Sequence, residues 1–362
     1  MAKLAINIAL ERPGFALTCD CEIALEGITA VFGPSGSGKT TLLRAIAGLE
    51  RAARGRIAFD GATWQDGTRW LPPHRRRIGY VFQDGRLFSH LTVAQNLRFA
   101  HRRAAARTVT RSIDVAATVA ALDLGALLDR RPASLSGGEQ QRAAIARALL
   151  TSPDLMLMDE PLSSLDTPRK REIVPIIEAL PTRFGVPVLY VTHNVDEVAR
   201  LASEVVLLSR GRVAAQGPVA DVLERIDLWT FTGEREAGAV LKTKVIEARE
   251  GIATLTLGEQ TLRVPMRAPS IGAEMRIRIN ARDVAVATAR PQRLSIRNVL
   301  RARLLRIDVD PAGVYVELLL DVDGQHLRAR ITRDALAELE LEVGQDIFAL
   351  IKSVALESTL LG

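Results

Sequence analysis

Gly33-Pro34-Ser35-Gly36-Ser37-Gly38-Lys39-Thr40 is the stretch on which the reading of this chain turns. It fits the pattern G-x-x-x-x-G-K-[ST], and its flanks suit a phosphate-binding loop. Ile28-Thr29-Ala30-Val31-Phe32 before it is a short apolar run of strand type, and Thr41-Leu42-Leu43-Arg44-Ala45-Ile46-Ala47 after it has helical apolar spacing. In such a loop the glycines let backbone N–H groups turn inward around phosphate oxygens, and the helix N-terminus adds partial positive charge. Lys39 is expected to reach the β- and γ-phosphates of a nucleotide, the Thr40 hydroxyl to bind Mg²⁺, and Thr41, first in the helix pattern, to join the nucleotide-binding residues. A glycine-rich turn that matched by accident would need neither flank.

A nucleotide loop also needs a carboxylate for its metal, and Leu155-Met156-Leu157-Met158-Asp159-Glu160-Pro161 supplies one at the end of a buried-strand pattern. Functional groups in such sheets collect at the carboxyl ends of parallel strands. Asp159 is expected to hold Mg²⁺ from outside its inner ligand sphere. Glu160, one residue on, can sit beside the water that attacks the γ-phosphate and act as its general base or polariser. Four apolar residues before Asp-Glu say little alone; together with the loop they say much more.

Four further elements stand in fixed order around this pair. Gln83 follows the strand pattern Ile78-Gly79-Tyr80-Val81-Phe82. Leu135-Ser136-Gly137-Gly138-Glu139-Gln140-Gln141 opens a helix with a serine cap and paired glycines, a second phosphate-binding geometry. Ser163-Ser164-Leu165-Asp166 is an acidic turn, and His193 ends the strand pattern Val188-Leu189-Tyr190-Val191-Thr192. In this order the six elements resemble the ATPase domain of ABC transporters, over about residues 1 to 235.

That resemblance implies two ATPase domains that sandwich two ATP molecules head to tail. Ser136, Gly137 and Gly138 of one subunit would contact the γ-phosphate held by Lys39 of the other, with Asp166 at the same junction. His193 would contact that phosphate and orient the attacking water with Glu160, and Gln83 would touch the metal or the water. The family stacks adenine on an aromatic near the N-terminus. Phe15 is the candidate here, although its interval to Lys39 is short for the family and plain core is the other reading. Asp84-Gly85-Arg86-Leu87-Phe88-Ser89-His90-Leu91 resembles the surface that receives a coupling helix of the membrane subunit; an ordinary loop with a buried Leu-Phe pair is the alternative.

Working outward, residues 101–129 are rich in Ala, Leu and Arg and read as helices inserted into the sheet domain. After about residue 240 the pattern turns all-β, with alternating runs such as Thr254-Leu255-Thr256-Leu257 and Val314-Tyr315-Val316-Glu317-Leu318. Ile279-Asn280-Ala281-Arg282-Asp283-Val284-Ala285 is echoed by Ile351-Lys352-Ser353-Val354-Ala355. This suggests either a divergent repeat of small barrel modules or a single β-domain with chance similarity. The expected fold is an α/β P-loop ATPase domain with a helical insert, then an all-β OB-like barrel region. The boundaries read as 1–235, 236–290 and 291–362.

Ser295-Ile296-Arg297-Asn298-Val299-Leu300-Arg301-Ala302, with Ile351-Lys352-Ser353-Val354, resembles the molybdenum-binding modules called Mop domains, which end molybdate-importer ATPases. Arg77-Ile78-Gly79-Tyr80-Val81-Phe82-Gln83 with Arg86-Leu87-Phe88 also resembles that subfamily. A tetrahedral dianion wants several N–H and O–H donors, and Ser295, Arg297, Asn298, Lys352 and Ser353 are such a set. Val354 stands where the binding modules often carry a second small hydroxyl residue. The region is therefore open to two readings, a regulatory molybdate site or an interface barrel without a ligand. Residues 295–362 carry eight basic and eleven acidic side chains, so binding there would depend on placed donors and not on a bulk field.

Composition bounds the rest. The chain has 362 residues, too long for one compact core, with 48% hydrophobic and 25% charged residues, which excludes a disordered chain. No run approaches the roughly 18 apolar residues of a membrane helix. The alternating start Met1-Ala2-Lys3-Leu4-Ala5-Ile6-Asn7 lacks a signal peptide's apolar stretch, so a cytosolic protein is expected. Cys19 and Cys21 share one strand face and read as small packing residues. The net charge of +6 raises the question of nucleic acid, but aromatics are only 4% and no motif of the common modules is present. The resemblance implies a homodimer with two transmembrane permease subunits and an extracytoplasmic solute-binding protein, peripheral on the cytoplasmic face of the inner membrane. Another cargo (tungstate, sulfate or thiosulfate, ferric iron) and a non-transport ABC ATPase are the competing readings.

Overall fold

The computed structural model describes residues 2–105, 112–224, 238–266, 270–309, 314–353 and 357–360. It divides into two compact units, Met1–Gly217 and Pro218–Gly362. The boundary expected at residue 235, the middle of the insert at 106–111 and Val354 all lie outside the described residues.

The first unit is built on one eleven-stranded sheet. Strands β1 (Ala2–Arg12) and β2 (Phe15–Leu25) form a long antiparallel hairpin, and alternate residues of each face the core. Strand β3 (Ile28–Phe32) leads into helix α1 (Lys39–Ile46), and β4 (Arg54–Phe59), β5 (Ala62–Asp66) and β6 (Arg69–Trp70) extend the antiparallel side. Then come β7 (Ile78–Val81), the insert helices α2 (Val93–Ala105) and α3 (Val115–Ala121), α4 (Gly137–Leu149), β8 (Leu155–Asp159), α5 (Thr167–Phe184), β9 (Val188–Thr192), α6 (Val195–Leu201), β10 (Glu204–Ser209) and β11 (Arg212–Pro218). The strand order is β6-β5-β4-β1-β2-β11-β10-β3-β9-β8-β7.

Strands β10, β3, β9, β8 and β7 run parallel, and β3, β8 and β9 are buried along their whole length. Strands covered on both faces are expected to be continuously apolar, as Ile-Thr-Ala-Val-Phe, Leu-Met-Leu-Met and Val-Leu-Tyr-Val are. Parallel direction has a functional consequence: Gly33, Gln83, Glu160 and His193 all follow carboxyl ends along one sheet edge. Helix α1 anchors there by burying Leu42, Leu43, Ala45 and Ile46. Cys19 and Cys21 are free thiols on one face of β2, Sγ to Sγ 3.5 Å, packed among the apolar residues of the core.

The second unit begins with α7 (Val219–Glu224), which packs on β12 (Gly238–Arg249). Strands β13 (Ile252–Leu257), β14 (Gln260–Pro265), β15 (Glu274–Asn280) and β16 (Val284–Ala287) follow. A matching series then runs β17 (Asn298–Val309), β18 (Tyr315–Val322), β19 (Gln325–Thr332), helix α8 (Arg333–Glu338), β20 (Asp346–Ile351) and β21 (Glu357–Leu360). One sheet has the order β14-β13-β12-β15-β21; the other, read the same way, is β19-β18-β17-β20-β16. The two halves correspond strand for strand, and each lends its last strand to the other. Even the bulges correspond, since the register passes over Ile246 in β12 and Leu305 in β17. The amide of Gln260, first in β14, pairs with Arg301 N–H (2.7 Å) and C=O (3.0 Å), while Gln325, first in β19, pairs with Lys242 N–H (2.8 Å) and C=O (2.9 Å). The inner faces of both sheets share one apolar core, from Leu241 and Ile277 to Leu318 and Ile351. The described strands thus form neither a split at residue 291 nor a single unrepeated sheet. They form two copies closed on each other.

Candidate active site

The loop from Gly33 to Thr40 joins β3 to α1, and two of its glycines are irreplaceable on geometry. Gly33 has φ +154° with a hypothetical Cβ 2.0 Å from the Leu208 carbonyl oxygen, and Gly38 has φ +103° with a Cβ 2.9 Å from the Phe15 ring. The second contact also places Phe15, half-buried, against the start of α1. Pro34, Ser35, Gly36 and the Thr40 side are exposed, while Ser37 is buried with a hydroxyl that has no protein partner among the described residues. A cradle whose walls a methyl group would fill, with an unpartnered hydroxyl inside, suits a phosphate group.

Lys39 is 4% exposed and folds back on the loop, donating to the carbonyls of Gly33 (2.8 Å) and Pro34 (3.0 Å). Burial pulls its pKa below the usual lysine range, and the nearby charges of Glu160 and Asp159 oppose that shift. Thr40 Oγ1 donates to Asp159 Oδ1 (2.8 Å), and Tyr80 Oη donates to Asp159 Oδ2 (3.1 Å). Burial raises the Asp159 pKa against these two bonds, and burial raises that of Tyr80 further, with the Asp159 charge behind it. A hard divalent cation takes oxygen ligands, and the Thr40 hydroxyl and the Asp159 carboxylate lie together as such a pair.

Glu160 follows with φ +46°, uncommon for a residue with a side chain. Its N–H donates to Val191 C=O (3.0 Å), and its own C=O accepts from Ser163 Oγ (2.8 Å). That backbone turn aims the carboxylate across β9: Oε2 lies 3.0 Å from His193 Nδ1, and Oε1 lies 3.9 Å from Lys39 Nζ. The sheet edge therefore assembles Lys39, Thr40, Asp159, Glu160 and His193 into one bonded group.

Gln83, Ser136, Gly137 and Asp166 are exposed, and no bond joins them to that group among the described residues. Ser136 caps α4 in a reciprocal box, accepting from Glu139 N–H (3.3 Å) while its own N–H donates to Glu139 Oε2 (2.6 Å). Gly137 and Gly138 face Leu165 and Arg169, so this helix start and the acidic turn adjoin. Asp166 caps α5, accepting from Arg169 N–H (3.1 Å). The loop at 84–91 is tied down by residues that local sequence did not mark. Asn96, fully buried, accepts from Phe88 N–H (2.9 Å) and donates to the Phe88 and Thr92 carbonyls. Arg147 of α4 donates to Gly85 C=O (3.2 Å) and lies over the Phe88 ring. Phe88 meets Phe99 edge-on, and Phe99 is 43% exposed. Tyr80 is likewise a site residue the motifs missed; its position one residue before the end of β7 was the available signal.

Of the five expected oxyanion residues, Asn298 is buried and otherwise engaged. Its Oδ1 accepts from Arg263 N–H (2.7 Å), and its Nδ2 donates to Arg263 C=O (3.1 Å) and Ser353 Oγ (3.3 Å). It completes a backbone ladder with Arg263. Ser295, Arg297 and Lys352 are exposed. A cavity of about 480 Å³ opens beside them, lined by Ile296, Lys352, Arg282, Arg330 and Thr332 among others.

The model of the "ABC transporter" family matches residues 18–163, and that of the "TOBE domain" matches residues 294–357. "Molybdenum import ATP-binding protein ModC" of Methylococcus capsulatus is 47% identical over 359 residues, covering 98% of this chain and 99% of that protein. The protein of the same name from Pseudomonas aeruginosa is 47% identical over 362 residues, with 98% and 99% covered. Among solved structures, that of a bacterial Atm1-family ABC exporter with ATP bound is similar with a TM-score of 0.52 and 27% identity, over 63% of this chain and 41% of that one.

Proposed function

The chain belongs to the molybdenum-import branch of the ABC transporter ATP-binding proteins, and we propose that it hydrolyses ATP to drive a molybdate importer, with Glu160 activating the attacking water. The observation that carries this is the single carboxylate placed between Lys39 (3.9 Å) and His193 (3.0 Å). Lys39 donates to the loop's own carbonyls. On binding, the triphosphate replaces those carbonyls, and the lysine turns to the β- and γ-oxygens. Glu160 is then free to accept from the attacking water, while His193 meets the γ-phosphate and keeps the water in line. Thr40 and Asp159 would hold Mg²⁺, which when bound neutralises charge on the phosphates. Phe15 stacks on adenine from its place at the start of α1.

The remaining site residues act across a dimer. ABC import ATPases work as dimers with membrane permease subunits, and their place is peripheral to the inner membrane; no helix among the described residues is long and apolar enough to cross one. Ser136, Gly137 and Gly138 of one protomer close on the γ-phosphate in the other, Asp166 lines the junction, and Gln83 reaches the metal or water on closure. The Phe88–Phe99 edge with its tied loop is the surface for the permease. An extracytoplasmic binding protein delivers the oxyanion.

Glu160→Gln tests the central assignment. ATP binding is expected to persist, hydrolysis to fall by at least about 100-fold, and the dimer to be trapped with nucleotide. Normal turnover in that variant would refute the role of Glu160. Transport by the assembled complex with tungstate and sulfate as competitors separates the cargoes. For the second unit, Ser295, Arg297, Lys352 and Ser353 are exposed or half-exposed donors suited to a tetrahedral dianion, with Asn298 orienting Ser353. Calorimetry of the full chain with millimolar molybdate should show heat that Lys352→Ala removes; no heat in the unmodified chain leaves the unit an interface barrel.

A further inference from the structure

We infer that Glu197 is the positioning residue that holds His193 over Glu160. The inference rests on the reading of His193 and Glu160 as the pair that orients water. The His193 side chain is 48% exposed, and the bond described for it goes to Glu160. With about half of the side chain in solvent and that one described bond, the aim of the ring depends on the backbone on either side.

Both neighbours of His193 are tied to Glu197, Thr192 at its carboxylate and Asn194 at its backbone N–H. Thr192 Oγ1 accepts from Asn194 N–H (3.0 Å) and donates to Glu197 Oε2 (2.8 Å), so residues 192 and 194 share a single hydroxyl. Asn194 caps α6, accepting from Asp196 N–H (2.7 Å) and Glu197 N–H (3.2 Å). Tyr190 Oη donates to the same Glu197 oxygen (2.9 Å), and burial, with the Glu197 charge behind it, keeps that phenol protonated and donating. Lys170 Nζ meets the other oxygen at 3.0 Å. Lys170 lies in the first turn of α5, where its N–H donates to the carbonyl of Asp166. Glu197 thus joins three parts of the reaction edge: the end of β9, the start of α6, and the helix that the acidic turn begins.

An acid in the first turn of a short helix needs no special role when it points into water. Glu197 does not: it is 9% exposed and receives three side-chain donors. A buried carboxylate this fully bonded fixes geometry, because every alternative arrangement leaves charge unpaired. A shift of about 1 Å in a catalytic group can cost on the order of 100-fold in rate.

Turnover of the full-length chain with MgATP tests this. Glu197→Ala is expected to lower kcat about 10- to 100-fold with KM within about twofold, since the phosphate loop is untouched. Glu197→Gln keeps the size and an acceptor, so it should fold normally and lose only part of that rate. In a His193→Ala background, Glu197→Gln should change the residual rate by less than about twofold, because residues acting as one unit are non-additive. In NMR spectra of the five histidines, the His193 ring signals should move in Glu197→Gln while the other four stay. Wild-type kcat in both Glu197 variants, an unmoved His193 signal, or equal factors with and without His193 would overturn the assignment. Full turnover in His193→Ala alone would instead overturn the site reading, and this inference with it.

Discussion

Lys39 shows how a residue can serve function against stability. Its ammonium lies in a pocket that disfavours charge, beside two carboxylates that only partly compensate. For a base with a lowered folded pKa, the unfolded chain binds the extra proton between the two pKa values. Stability of the nucleotide-free protein therefore rises with pH across that window. Lys39→Met should flatten this slope in urea unfolding as pH approaches the ordinary lysine pKa of about 10.5 from below, and equilibrium binding should show MgATP affinity reduced by about 10- to 100-fold, the equivalent of a lost charged hydrogen bond. An unchanged slope would mean that Lys39 is not penalised by burial. At this scale the motif residues were legible because their spacing is local: Gly33 to Thr40 sit on one turn, and Asp159-Glu160 end one strand. Tyr80 and Glu197 were not, since their partners lie 79 and up to 27 positions away in sequence. No window of sequence displays those distances. The ladder that Asn298 makes with Arg263, 35 positions away, was not legible either.

Helices and strands show the same contrast. The α1 pattern was legible, but not what stops it. The Arg76 guanidinium, buried to 1% exposure, donates to the Ala45 (2.9 Å) and Ile46 (2.5 Å) carbonyls at the end of α1 and to Leu71 C=O (2.9 Å). Burial lowers its pKa to about 10, so it remains charged at neutral pH and meets the negative end of the helix. Arg76→Lys, with one point of charge in place of a planar fork, should cost about 2 kcal/mol in the first unit's unfolding transition, and Arg76→Met more. A shift under about 0.5 kcal/mol in both would show the cap to be idle. In the second unit, strands β18 and β19 bury Glu317 against Arg330. Burial raises the Glu317 pKa, and the Arg330 bond opposes that. Arg330→Met alone should cost about 3 to 5 kcal/mol by stranding a buried carboxylate, and adding Glu317→Met should restore most of it. Urea unfolding of the two variants gives the answer; equal destabilisation by the single and the double change would contradict it.

Across the whole molecule, the division into an α/β unit and an all-β unit was legible from the change in periodicity near residue 240. So was the echo between 279–285 and 351–355, and the strands that carry it do correspond. What sequence could not convey is the pairing. The echo says nothing about which sheet β16 and β21 join, because the partner is chosen by three-dimensional closure and not by local pattern. The exchange of these two strands means that a cut after Arg290, where the sequence suggests a seam, would leave each sheet one strand short with an unpaired edge.

That exchange also sets a timetable for synthesis. The edge of β15 emerges early, yet the segment that covers it, 357–360, is made only after the entire second sheet. A nascent chain must carry a bare sheet margin through most of the second half's translation, which makes this long-range closure a slow step and leaves an unpaired edge open to misassembly until it is made.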